Sequence, residues 1–431
     1  MLGILSTGAG KKFGQNLRRE IPMKVAVIGL GRVGLPTACY FASLGHRVSG
    51  YDVDVGLRSM LSQGVNPLPW EPGVDKWLNS VQYVPTLEAS LANVSCVYVI
   101  VPTPKVGDDL SAEHVKSVCQ RIHDFGWTGW VVVGSTLDPR TVTEVCIHPS
   151  ILYNPPLIRL GHVIEDLTYP TVSLYGMNTS AGIPVLRELW GTVPAAIAQP
   201  VANANCKPCR EVVGDPLSIA VAKLAINVSL SSRIAWANEL AEVCRVVGAS
   251  VDTVIGAVGG DARIGSAYLK PGWSPAGPCL PRDLDVWCSF GGSYTPIAQE
   301  IYYGHMKTRK RIIESVVEWV EKYYEGVQSG KKPIVGVLGL VYNPGAADGT
   351  LSQGTAIVDA CIRRGWSALG YDPMGGTMFS GVSSYSGSLT LQEVLEKADV
   401  SIVATPWPEF DNIHKYISNK PVLRLDGEHS G

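Results

Sequence analysis

The chain has no excess of positive charge: 36 Lys and Arg stand against 38 Asp and Glu, for a formal net charge of -2. Such a balance supplies no basic field to follow a phosphate backbone, which argues against nucleic acid as a partner. It also lacks an uninterrupted apolar run near the roughly 18 residues that a membrane span needs, and no apolar segment with a cleavage site follows the N-terminus. A soluble, cytoplasmic protein without membrane contact is therefore expected. Ten cysteines without regular spacing do not resemble the dense disulfide framework of a small secreted domain, so reduced thiols are expected. The one close pair, Cys206 and Cys209, has metal or redox spacing. No second CxxC or His pair completes a zinc set, and no metal is expected.

What is present is length and alternation. At 431 residues the chain exceeds one ordinary core and suggests three domains. Residues 1–22 read as a flexible tail, with a targeting peptide as the alternative. The run KVAVIGLG at 24–31 reads as a strand ending in glycines, TACYFASLG as a helix, and RVSGYDVD as the start of a second strand. Further buried-strand candidates, VSCVYVIVP and WVVVGST, follow at crossover spacing, which predicts a doubly wound parallel sheet over residues 23–210. From Pro216 to Val247 no Gly or Pro interrupts a helical pattern, and a second helical stretch ends near Tyr324, so 211–325 reads as a helical domain. The strand–glycine–helix–strand layout then returns in 326–431. The fold class is α/β, with two Rossmann-like doubly wound lobes joined by central helices.

Gly29, Gly31 and Gly34 form GxGxxG between a strand and a helix, and Asp52 ends the next strand 21 residues beyond Gly31. The first glycine permits the tight turn, the second lets backbone N–H groups approach a pyrophosphate, and the third lets the helix pack on the strand. The phosphates then sit at the positive end of the helix. Asp52 accepts hydrogen bonds from both ribose hydroxyls of NAD, and with Asp54 it repels a 2′-phosphate, so NAD is the expected cofactor. The terminal lobe lacks the full fingerprint but repeats the strand-end acid at Asp372, which suggests a different nucleotide ligand.

In WSPAGPCLPRD, Cys279 follows a Gly- and Pro-rich loop, and Pro281 suits a first helical turn. A thiol at a helix N-terminus is expected to be acidified, and Asp283 falls on the same side one turn later. Lys223 and Asn227, four apart, point one way from an apolar helix and have the chemistry to stabilise a developing oxyanion, or else they form a solvated helix face.

Taken together and in this order, GLGRVGLP, NPLPWEPGVD, VPTP, ST, YNP, KLAIN, ANELAEVC, DARIG and GPCLPRD resemble the UDP-glucose/GDP-mannose dehydrogenase family from Met23 to about Asp426. The resemblance implies a four-electron oxidation of a sugar C6 alcohol to a carboxylate, reducing two NAD. Cys279 would carry a thiohemiacetal and then a thioester. Lys223 and Asn227 would stabilise charge on the C6 oxygen, Asp283 would assist proton transfer, and Thr136 would lie beside the reacting carbon. By the same resemblance Arg32, Val33, Pro102, Thr103 and Ser135 join the cofactor site. Arg263, Lys270, Gly277, Tyr153 and Asn154 contact the nucleotide sugar, with Arg263 often serving the neighbouring subunit. A UDP-sugar is expected in preference to a GDP-sugar, and a homodimer through the central helices.

Two segments depart from the family pattern. NPPLIRLG stands for an NPEFLREG-like stretch, so Pro156 and Leu160 replace two glutamates, and neither side chain handles a proton. YNPGAADGTLS stands for FKPxxDDxRxS, with Asn343 and Thr350 in place of a Lys and an Arg near a diphosphate. Leu280 replaces an aromatic. Three readings follow: a working four-electron dehydrogenase, an enzyme that makes one hydride transfer or another oxidation whose product is not a free uronate, or an NAD or nucleotide-sugar binder without turnover.

Overall fold

The apolar runs fold as strands buried on both faces, as parallel sheets covered by helices require. The structure, a computed structural model, describes residues 22–191, 209–272, 274–325, 331–375, 389–416 and 420–425. The expected tail, apart from residue 22, and Cys206 lie outside them. The first sheet has strands β1 (Lys24–Ile28), β2 (Arg47–Tyr51), β3 (Val81–Tyr83) and β4 (Cys96–Val99). A two-stranded ribbon, β5 (Lys105–Val106) with β6 (Asp109–Leu110), precedes β7 (Trp130–Val133), β8 (Ile151–Tyr153), β9 (Val172–Gly176) and β10 (Arg210–Gly214). Their order is β10-β9-β8-β7-β4-β1-β2-β3. The order reverses at β1, whose neighbours are β2 and β4, and this opens a crevice beyond the carboxyl ends of β1 and β4.

The sheet is not wholly parallel. β8 meets β9 antiparallel through Tyr153 and Gly176, so β9 and β10 run against the other six strands. The segment between β8 and β9 turns back at the end of β8 instead of crossing a face, and an antiparallel neighbour needs no crossover. Periodicity alone does not distinguish these directions.

The second sheet, β11 (Ile334–Leu338), β12 (Ser367–Tyr371), β13 (Val400–Val403) and β14 (Val422–Arg424), is parallel in the order β12-β11-β13-β14. It copies the first turn closely. Gly29 N–H donates to Tyr51 at 2.8 Å, and Gly339 N–H donates to Tyr371 at 2.8 Å. Both glycines have positive φ, +93° and +90°, a region costly to any residue with a Cβ. A Cβ on Gly34 would lie 1.9 Å from the Gly29 carbonyl oxygen, and one on Gly354 would lie 2.0 Å from that of Gly339. The strand-end acids match too: Asp52 accepts from Leu30 N–H at 2.7 Å, and Asp372 accepts from Leu340 N–H at 2.6 Å.

Between the lobes runs the helix Pro216–Val247, 32 residues long. Asp215 caps it by accepting from Ser218 N–H, Pro216 fills its first turn, and Gly248 ends it in the left-handed region. By length and composition this helix could cross a membrane, but Lys223, Asn227 and Arg233 interrupt its apolar run. It packs against the helices Leu280–Gly291 and Pro296–Glu325, and it buries Lys223, Asn227, Ser231 and Asn238.

His305, on the helix Pro296–Glu325, is buried with Nε2 2.9 Å from the Ser231 carbonyl oxygen, and its Nδ1 has no partner among the described residues. Burial lowers its pKa to about 4, so the folded protein holds the neutral ring. Because the folded value lies below the unfolded one, the stability linked to this group is complete above about pH 6.5 and is lost as pH falls toward 4. A titration of melting temperature should show wild type losing more stability than His305→Asn between these limits, by at most about 1.4 kcal/mol per pH unit. Equal slopes would remove His305 from the acid response.

Candidate active site

The sequence around Cys279 folds as expected: Cys279 is the N-cap of the helix Leu280–Gly291, with Pro281 in its first turn. Asp283 N–H donates to the Cys279 carbonyl at 2.9 Å, which places its carboxylate one turn along the same side. Lys223 and Asn227 rise from the neighbouring helix and are 9% and 8% exposed, so the solvated-face alternative falls away. Asn227 Nδ2 donates to Asp283 Oδ2 at 2.6 Å. Arg282 closes the other oxygen, Oδ1, with Nε at 2.9 Å and Nη2 at 2.7 Å. The carboxylate is fully buried and doubly held. Arg282 was legible in GPCLPRD but carried no signal there, because the pairing depends on the side chain folding back onto its own neighbour.

The thiol environment differs from the expectation. Cys279 keeps a face open to solvent, yet the protein packed around it pushes its thiol above the ordinary value. Arg282, Lys223 and Arg32 pull it back down, while Asp283 adds to the rise. Desolvation of the thiolate outweighs the pull of these three cations. Burial likewise lowers the Lys223 pKa, against the opposing pull of Asp283 and Cys279. No hydrogen bond reaches Lys223 Nζ from the described residues.

At the crevice, Gly29, Gly31 and Gly34 form the turn, and a Cβ on Gly31 would meet nothing within 4 Å. That open space beside the start of the helix Gly34–Ser43 fits a cofactor pyrophosphate. Val33 caps this helix and packs against the first lobe's core. Asp52 is half-buried, with Oδ1 accepting from Asp54 N–H at 2.9 Å. Pro102 is exposed and Thr103 buried beyond β4. Ser135 Oγ accepts from Val101 N–H at 2.8 Å and donates to its carbonyl at 2.7 Å, which ties the ends of β4 and β7 together. Thr136, next along, is half-buried.

Other expected contacts lie elsewhere. Tyr153 is fully buried, its hydroxyl accepting from Leu137 N–H at 3.0 Å. Asn154 spends its amide on Leu174 and Trp190, at 2.8 and 2.7 Å. Both belong to the sheet interior in this structure, because the alternation along β8 turns them toward core partners. Arg32, expected at the cofactor, pairs instead with the buried Asp348 of the terminal lobe. Arg263 is 88% exposed and paired with Asp261, and Lys270 is exposed, so neither converges on Cys279 within one chain. Cys209 Sγ lies 3.3 Å from Ser173 Oγ, and no metal-binding cluster occurs among the described residues.

The divergent loops meet. Leu160 packs against the first lobe's core, and the nearby carboxylates are engaged: Glu165 with His162 at 2.8 Å, Asp166 with Arg159 at 2.6 Å. Glu71, unnoticed within NPLPWEPGVD, accepts from Gly161 and Val163 N–H at 2.8 and 2.7 Å and fixes this loop. A Cβ on Gly161 would lie 2.2 Å from the Gly345 carbonyl oxygen, so the loop abuts the terminal lobe. In that lobe Thr350 O accepts from Gly277 N–H at 2.8 Å, and Asn343 Nδ2 reaches only the Pro344 carbonyl, at 3.4 Å.

Comparison with known proteins decides the family. Residues 23–193 match the NAD binding domain of the UDP-glucose/GDP-mannose dehydrogenases, 218–295 their central domain, and 336–428 their UDP binding domain. The chain belongs to the UDP-glucose/GDP-mannose dehydrogenase family. It is 28% identical over 415 residues to the UDP-glucose 6-dehydrogenase of Haloferax volcanii, covering 90% of this chain and 92% of that one. The UDP-glucose 6-dehydrogenase of Rhizobium meliloti is 29% identical over 414 residues, covering 90% of each. A solved UDP-glucose dehydrogenase from Pyrobaculum islandicum superposes with a TM-score of 0.80 at 25% identity, covering 96% of both chains. As a divergent family member the chain uses NAD, and its coarse chemistry is NAD-dependent dehydrogenation of a nucleotide sugar.

Proposed function

We propose that the chain oxidises the C6 alcohol of a UDP-sugar to the uronate through a Cys279 thiohemiacetal and thioester. The observation that carries this reading is the convergence on Cys279 of a buried ammonium, Lys223, a buried amide, Asn227, and a buried carboxylate, Asp283. NAD, held by the Gly29–Gly34 turn, Asp52 and the Pro102–Thr103 and Ser135–Thr136 loop ends, supplies the hydride acceptor for each oxidation. Lys223 stabilises charge on the C6 oxygen, and Asn227 does so while orienting Asp283. Asp283 moves the proton, and Cys279 Sγ attacks the aldehyde carbon so that the second oxidation yields a thioester.

The reading divides the chain at 23–210, 211–325 and 326–431, with the sugar nucleotide on the terminal domain and Gly277 at its edge. UDP in preference to GDP is supported by relatives named UDP-glucose 6-dehydrogenase. A homodimer through the central helices is supported by Val251–Gly260, an apolar helix that buries none of its residues, and by exposed Trp236, Val246 and Val247 beside it. Arg263, turned outward, then serves the partner's site, and Lys270 contacts the sugar nucleotide. A cytoplasmic setting fits the free thiols among the described residues.

The test is NADH formation by the purified chain with NAD and a panel of UDP- and GDP-sugars. Two NADH per sugar is expected. One NADH would support the single-hydride reading, and none, from protein that still binds NAD, would leave a binder.

A further inference from the structure

The described carboxylates around the cleft are all engaged. Asp283 is held by Asn227 and Arg282, and Asp348 by Arg32 and Thr350 N–H. Glu71 is held by Gly161 and Val163, Glu165 by His162, and Asp166 by Arg159. Pro156 and Leu160 offer no polar atom. Tyr342 brings a hydroxyl without a partner among the described residues into this region. Tyr342 anchors its backbone N–H on the Asp348 carbonyl at 3.0 Å and lays the hydroxyl end of its ring on Gly277, two residues before Cys279. A Cβ on Gly277 would lie 2.8 Å from the ring, at Cε2 and at Cζ, the atom that bears the hydroxyl. Among the described residues no hydrogen bond is made by that hydroxyl. Burial, with Cys279 and Asp348 nearby, raises its pKa, so the phenol stays neutral at working pH. A neutral phenol donates one hydrogen bond and accepts others, which suits a fixed water and not a general base.

We propose that Tyr342 is a catalytic residue whose hydroxyl hydrogen-bonds and aims the water that releases the product from Cys279. The assignment rests on the Cys279 thioester proposed above. In the step, the water oxygen bonds to the thioester carbon, the C–S bond breaks with its electron pair leaving on Cys279 Sγ, and the water proton passes to the Asp283 carboxylate. Tyr342 keeps its own proton throughout. Where the family-like stretch carries Phe, this chain carries Tyr, so the hydroxyl is the only atom that the decisive variant removes.

That variant is Tyr342→Phe in the full chain, which keeps the ring on Gly277. With NAD and UDP-glucose, kcat should fall roughly tenfold, the worth of one well-placed hydrogen bond, with KM within about twofold. The variant should also show a burst of NADH and a sugar-nucleotide adduct at Cys279, detected by intact mass after acid quench, that wild type does not accumulate. A merely structural role would move melting temperature without producing the adduct. Wild-type kcat in the variant, or a lower kcat without adduct, would overturn the assignment of Tyr342 alone. No NADH from wild type would instead sink the thioester reading, and Tyr342 with it.

Discussion

Replacing Cys279 by alanine should lower steady-state NADH formation by roughly a thousandfold or more, because in the proposed mechanism the covalent intermediate forms on its sulfur. The side chain keeps an open face at the start of its helix, so the substitution removes a sulfur without opening a sealed core. NAD affinity, measured by fluorescence titration, should stay within about twofold, since the substitution leaves the glycines of the Gly29–Gly34 turn and Asp52 unchanged. The pH dependence is the sharper test. Burial raises the thiol pKa, so the reactive thiolate is scarce near neutrality and grows as pH rises. Alkylation of the free enzyme by iodoacetamide should therefore accelerate through the alkaline range. A rate already level at pH 7 would show that the helix start and the Arg282 and Lys223 charges outweigh burial.

Lys223→Met should lower kcat by about a hundred- to a thousandfold with little change in KM, because the variant keeps the buried stem and deletes only the charge. Lys223 is 9% exposed and its ammonium has no hydrogen bond from the described residues, so its charge is available to a developing oxyanion in the proposed step. Its depressed pKa sets the sign of the pH effect. The cation is present below its folded value and is lost as pH rises through it, so kcat of wild type should decline on the alkaline side sooner than an ordinary lysine dictates. Lys223→Met should lack that limb. It should also alkylate more slowly at Cys279, since one of the charges that lower the thiol pKa is gone. An unchanged kcat with a lower melting temperature would reduce Lys223 to a packing role.

Much of this was legible from local pattern. Strand–glycine–helix order placed both lobes, since tight turns that bring a helix back onto its strand demand Gly29 and Gly34 whatever surrounds them. Four-residue spacing put Lys223 and Asn227 on one side of their helix, and Pro281 marked the helix start at Cys279. Direction and reach were not local. Whether β9 runs with or against β8 depends on where the connection returns, and Tyr153 and Asn154 turned inward because β8 is an interior strand with core partners on both sides. Arg32 faced two possible anions, a cofactor phosphate or Asp348, and the lobes' approach decided for Asp348 in this structure.

The sequence alone determined the order of the two lobes and the central helices, the NAD-binding turn and the helix that presents Cys279, because each follows from sterics and periodicity within a few residues. Tertiary structure alone decided the charge state of the site and its membership. The raised thiol, the depressed lysine, the clamp of Arg282 and Asn227 on Asp283, and the Tyr342 ring on Gly277 arise from groups far apart in the chain or from burial. Desolvation is a property of everything packed around a group, and no window of sequence contains it.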